Sequence, residues 1–153
     1  MRGLLVLGLV GLLSSGVRAE QPPQVRQRLE AIVTQMKGLQ FCKSGGCLYR
    51  NIQYILTPDK TKKTYQAVVK ADIERRSQTF DRGSYRFIFQ EPTGWQLVGG
   101  TESTDVNETV YTQNRYESNS VYSRQANRGL VADLPTGYKF LYLQVLNQGQ
   151  ERR

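Results

Sequence analysis

The sequence predicts an α+β fold: one N-terminal amphipathic helix packed on a curved antiparallel sheet of five or six strands. Between Thr64 and Val98 apolar residues fall on alternate positions in two successive runs, Tyr65, Ala67, Val69, Ala71, Ile73 and then Tyr85, Phe87, Phe89. Alternation of that kind marks a strand with one dry face. Glu91-Pro92-Thr93-Gly94 then reads as a tight turn leading into Trp95, Leu97 and Gly99, which makes the region an antiparallel meander. Upstream, Val25, Leu29, Ile32, Val33 and Met36 form one stripe of a helix over Gln24 to Lys37, ended by Gly38. A lone amphipathic helix beside a one-sided sheet buries its stripe on the sheet's dry face.

Taken in order, Met1 to Ala19 has a basic residue at position 2, an apolar run from Gly3 to Leu13 and a small-residue ending at Val17-Arg18-Ala19. These are the parts of a secretory signal, with a cut expected before Glu20, and the apolar run is too short to span a bilayer. The domain is expected over residues 20–147, with 148–153 a polar tail, and no transmembrane span in the mature chain. After the helix, Cys42 and Cys47 flank two glycines; in an exported protein this spacing predicts a disulfide stapling the helix to the first strand. Leu48 to Leu56 is the first strand, with Leu48, Ile52, Tyr54 and Leu56 on one side and Tyr49, Asn51, Gln53 and Ile55 on the other. Thr57-Pro58-Asp59-Lys60 turns the chain into the second strand, and Ser77 to Gly83 is a polar loop before the aromatic hairpin.

Gly99-Gly100 marks a bulge or bend. From Glu102 to Asn127 the composition turns to Ser, Thr, Asn, Gln and Tyr, and Val110, Thr112, Asn114 and Tyr116 read as one face of a weak edge strand with Tyr111, Gln113 and Arg115 opposite. Asn107-Glu108-Thr109 matches a glycosylation acceptor, relevant only in a eukaryotic source. Residues 127–137 read as a loop, and Tyr138 to Leu146 as a final strand apolar on both faces. The order of helix, curved strands and aromatic hairpin over residues 24–101 resembles the cystatin-like and nuclear-transport-factor-like cone folds. That resemblance implies a helix lying in the concave side of the sheet, with Tyr54, Tyr65, Phe87 and Trp95 lining the interior, where a small apolar ligand would fit.

Lysines and arginines number 21 against 13 acidic residues, and removal of Arg2 and Arg18 with the signal leaves a balance of about +6. The positive residues are spread out, in clusters as short as Lys62-Lys63 and Arg75-Arg76, which argues against nucleic acid and for an acidic membrane or acidic protein as partner. There is no histidine. That excludes histidine-based nucleophile systems and removes the commonest metal ligand, and two cysteines cannot close a zinc site, so no metal and no cofactor are expected. Chemistry would fall to Asp72 and Glu74 on the polar face of the second strand, with Lys70 and Arg86 as their expected partners, or to Cys42 and Cys47 as a redox pair.

Nine tyrosines and a single tryptophan point to a contact surface instead. Alternation leaves Tyr49, Tyr111, Tyr116 and Tyr122 outside the core, and these form the expected partner-binding set. The function read from the sequence is a non-enzymatic exported protein, periplasmic or in a thylakoid lumen if bacterial and otherwise secreted. It would dock through a basic, tyrosine-rich surface. A small-ligand carrier and a carboxylate or dithiol enzyme are the alternatives; partner identity and oligomeric state are not legible.

Overall fold

The computed structural model describes residues 23–42, 46–75, 80–134 and 136–151, with the side chains of 80 and 145–151 excepted; the expected signal segment lies outside them. Helix α1 spans Pro23–Lys37 and begins on proline, which lacks the N–H that a first-turn residue could not pair in any case. Its stripe of Val25, Leu29, Ile32, Val33 and Met36 is buried as the spacing predicts. Strands β1 (Leu48–Asp59), β2 (Thr64–Glu74), β3 (Phe80–Gln90), β4 (Gly94–Ser103), β5 (Asn107–Thr112), β6 (Arg115–Ser120) and β7 (Ala126–Leu130) follow. They form one antiparallel sheet in sequence order. A short 3-10 turn at Val131–Asp133 leads to a second helix, α2, over Gly137–Glu151.

Both helices lie on one face of the sheet. Ala67, Val69, Phe87 and Leu97 share that face by register and are buried together with the stripe of α1. Trp95 packs its ring against Phe89 at 5.3 Å, and its Nε1 donates to the Val25 carbonyl at 2.9 Å. At the sheet margin the Tyr54 hydroxyl donates to Glu30 at 2.7 Å and accepts from Arg26 at 3.0 Å, so two α1 residues one turn apart hold β1. Cys42 and Cys47 form the expected disulfide, with Cα atoms 5.3 Å apart. Beside it the Phe41 N–H donates to the Cys47 carbonyl, and Gln40 bridges to Leu48.

The sheet has seven strands rather than five or six, and the segment expected as a final strand is helical. A run that is apolar at nearly every position does not separate a buried strand from a buried helix by period. The deciding features are local. Tyr138 and Leu141 are buried three apart, and the Thr136 hydroxyl accepts from the Lys139 N–H at 3.1 Å, capping the first turn. Residues 148–151, expected in a polar tail, extend this helix.

The weak edge strand is in fact a hairpin. The chain reverses at Gln113, whose φ is 50°, so Tyr116 lies on β6 opposite Tyr111 rather than further along one strand. Part of the expected loop at 127–137 is β7, and β3 begins inside the segment expected as the Ser77 to Gly83 loop. Thr57, Pro58 and Asp59 continue β1; the proline sits on an edge strand, where a missing donor is tolerated.

Two irregularities decide which residues face inward. In β1 the register slips between Arg50 and Gln53, and Asn51 sits in the left-handed region at φ 52°. In β4 an extra residue, Val98, opposes the step from Arg86 to Phe87, directly before Gly99 and Gly100. A Cβ on Gly100 would lie 2.5 Å from the Ser84 carbonyl oxygen, so this bend accepts only glycine.

Replacing Cys42 and Cys47 by serine removes a short covalent loop and is expected to lower stability by about 2 kcal/mol, since short loops restrict the unfolded chain least. Urea titration checks this, and an unchanged midpoint would show that the staple contributes nothing to the fold.

Candidate functional site

The β4 bulge sets the chemistry of the interior. Before it, Trp95 and Leu97 face the helices; after it the parity changes, and Gly100 and Glu102 face them instead. Glu102 is thereby carried into the core, where it is 7% exposed. Its Oε2 accepts from the Tyr85 hydroxyl at 2.6 Å and from the Tyr138 backbone N–H at 3.0 Å, and its Oε1 accepts from the Tyr111 hydroxyl at 2.8 Å. One carboxylate therefore joins β3, β4, β5 and the first turn of α2, whose free N–H groups favour an anion.

The rings around it are closely matched. Tyr111 stacks on Tyr138 at 4.4 Å with 7° between planes, and Tyr49 meets Tyr85 edge-on at 5.7 Å. A Cβ on Gly137 would lie 2.9 Å from Glu102 Oε2 and would collide with the Tyr49 hydroxyl, so the helix start can approach only as glycine. Burial raises the Glu102 carboxyl above its ordinary range, against the lowering effect of Tyr85, Tyr111, Arg75 and the Tyr138 amide. Burial, then the nearby Glu102 charge, raises Tyr49, Tyr85 and Tyr111, and burial raises Tyr138. Arg75 is itself engaged, its Nε donating to Asp81 and its Nη1 to the disulfide sulfur of Cys47 at 3.7 Å.

Tyr49 and Tyr111 are therefore not surface residues. Both are core, at 3% and 1% exposure. The slip at Asn51 turns Tyr49 to the same side as Tyr54, and the hairpin at Gln113 turns Tyr111 toward α2. Tyr116 is half-buried, its ring lying over Gly129, whereas Tyr122 is 80% exposed at the β6–β7 turn beside exposed Val121. Of the expected lining residues, Phe87 and Trp95 are buried in the core and Tyr54 and Tyr65 are half-buried.

Among the described residues, no helix lies on the opposite face of the sheet. Across it Gln53, Lys70, Ser84, Thr101, Val110, Glu117 and Arg128 are successive register partners, one from each strand. Two hollows open along this row. The first, about 400 Å³, is lined by Asn51, Gln53, Lys70, Asp72, Arg82 and Ser84 among others. The second, about 460 Å³, is lined by Val110, Thr112, Arg115, Glu117, Arg128 and Leu130 among others.

Asp72 and Glu74 each have a partner from β1, though not the expected lysine and arginine: Asn51 Nδ2 donates to Asp72 at 2.9 Å and Arg50 Nε to Glu74 at 2.6 Å. Arg128 donates to Glu117 at 3.2 Å, while Lys70, Arg82, Arg86 and Arg115 make no ion pair among the described residues. Among those residues no group of three potential ligands could hold a metal ion, and no helix is long and apolar enough to cross a membrane.

Glu102, Arg82, Arg115 and Arg128 escape sequence reasoning. Strict alternation from Trp95 puts Glu102 on the wet side, and only the Gly99-Gly100 pair hints at the change of parity. Read along one strand, Arg115 falls opposite Val110 and Thr112, and Arg128 falls in a loop; only the hairpin at Gln113 and the seventh strand bring them to one face. No family model, no curated protein and no solved structure matches this chain, so the resemblance to cone folds has no relative behind it.

The raised Glu102 carboxyl gives a signed expectation. Because the native state holds its proton to higher pH than the unfolded chain, stability is greatest below the ordinary carboxylate range and falls as pH rises through the native value. Chemical denaturation of wild type and Glu102→Gln across this range is expected to show a falling stability difference with rising pH. A constant difference would mean that Glu102 titrates alike in both states.

Proposed function

We propose that this chain is a non-enzymatic binding protein, exported from the cytoplasm, that docks onto an acidic surface through the uncovered face of its sheet. The observation that carries the reading is the charge arrangement on that face. Lys70, Arg82 and Arg86 stand exposed on adjacent strands β2 and β3, while the neighbouring carboxylates Asp72 and Glu74 already accept from Asn51 and Arg50. Asp72 lies across the ladder from Arg82, and Lys70 and Arg86 make no ion pair among the described residues, so this part of the face keeps an excess of positive charge, which attracts an acidic partner and speeds encounter with it.

The buried interior favours this reading over the others. Glu102, whose carboxyl burial raises, is enclosed by tyrosines, so it has no route to a substrate. The dithiol is a closed disulfide beside the core. Phe87 and Trp95 fill the space under α1 in which a carried ligand would sit. Tyr122 and Val121, both exposed at the β6–β7 turn, add an apolar contact at the end of the distal strands. The basic balance and the expected signal segment agree with a role at an acidic surface outside the cytoplasm.

Retention of the purified protein on the envelope fraction of its source cells tests the proposal. Wild type is expected to bind and to be released by rising salt. The triple variant Lys70→Glu, Arg82→Glu, Arg86→Glu is expected to lose at least tenfold in retention at an unchanged melting temperature. Equal retention of both proteins would remove this face from the function.

A further inference from the structure

We propose that the acidic partner is a linear anionic glycan, carrying carboxylate or sulfate groups, that lies across the strands and occupies both hollows of the open face. The inference rests on the docking reading above and names its partner. Strands β2 to β6 each have neighbours on both sides, so their backbone groups are taken up in ladders and recognition on this face falls to side chains. The side chains of the first hollow are mostly amides and hydroxyls, Asn51, Gln53, Ser84, Thr101 and Ser103, beside Lys70, Arg82 and one carboxylate, Asp72, which accepts from Asn51. Amides and hydroxyls donate and accept, which suits sugar hydroxyls, and the cations suit carboxylate or sulfate.

The second hollow repeats the scheme with Thr112 beside Arg115 and beside Arg128, which shares the hollow with its ion-pair partner Glu117, and adds Val110 and Leu130 as apolar floor for a sugar ring. The two hollows lie side by side, since Thr101 of the first is the register partner of Val110 of the second. Lys70 and Arg82 lie on β2 and β3, Arg115 and Arg128 on β6 and β7, so each member of one pair is four strands from its counterpart. At about 4.8 Å between strands the pairs stand roughly 19 Å apart. One or two sugars reach a single pair, and a chain of several reaches both.

Other polyanions fit less well. An acidic peptide binds a sheet most directly by adding to an edge, and both edges are blunted: β1 by the slip at Asn51 and by Pro58, β7 by its five-residue length and Arg128. Nucleic acid and an anionic bilayer present dense negative charge, which Asp72, Glu108 and Glu117, interleaved with the cations, would repel. Widely spaced acidic groups on a hydroxyl-rich chain avoid those three carboxylates.

Calorimetric titration of the full mature protein at low salt tests this with defined probes: a heparin octasaccharide, a heparin disaccharide, an oligogalacturonate of octasaccharide length, and polyglutamate of matched charge. One or both octasaccharide-length glycans are expected to bind at least tenfold more tightly than the disaccharide and than polyglutamate. Lys70→Ala with Arg82→Ala, and separately Arg115→Ala with Arg128→Ala, should each reduce that affinity at least tenfold, and the paired Lys70→Arg, Arg115→Lys variant should retain most of it. Circular dichroism verifies that each variant is folded. Polyglutamate binding as tightly as the glycans, with the same sensitivity to Lys70 and Arg82, would overturn the glycan and leave the docking reading standing. Glycan binding untouched by all four substitutions would overturn the site, and failure of every probe together with undiminished envelope retention of the charge-reversed protein would overturn both readings.

Discussion

The Glu102 carboxylate is the constraint on which the rest of the molecule depends. It receives hydrogen bonds from β3 and β5 and from the first turn of α2 while sitting on β4, so four elements share one pair of oxygen atoms. A buried charge without partners costs several kcal/mol, and removing one partner leaves the others around an unsatisfied group. The arrangement is therefore demanding as well as stabilising. Tyr85, Tyr111, Tyr138 and Gly137 must all be in place together, which ties the position of the C-terminal helix to the register of the central strands.

That constraint is itself a product of two irregularities in the ladders. Without the extra residue at Val98, Glu102 would face water and Thr101 would face α2. Without the slip at Asn51, Tyr49 would stand on the open face. A shift of a single residue moves every side chain beyond it to the other side of a sheet. The two bulges thus assign Tyr49 and Glu102 to the interior.

The division between faces also accounts for the functional reading. Both helices and the buried aromatic residues lie on one side. The other side is a continuous surface seven strands wide, on which acids from β2 are held by β1 while the cations of β2 and β3 project. Such a surface displays its side chains for contact, which is what the proposed binding role requires.

Much of the first half of the fold was legible in the residues alone. The stripe of α1, the alternation of β2 and β3, the turn into Trp95 and the pairing of Cys42 with Cys47 follow from spacing, because each depends on neighbours close in sequence. The absence of histidine and the basic balance likewise narrowed the chemistry without any coordinates. The second half was not legible in this way. Tyr138 to Leu146 is apolar at almost every position and so satisfies either period, and it is helical because Thr136 caps it and Glu102, distant in sequence, receives the Tyr138 amide of its first turn. The positions of Tyr49, Tyr111 and Glu102 depend on where the ladders slip and turn, which is settled by pairing between strands and not by the order of residues within one.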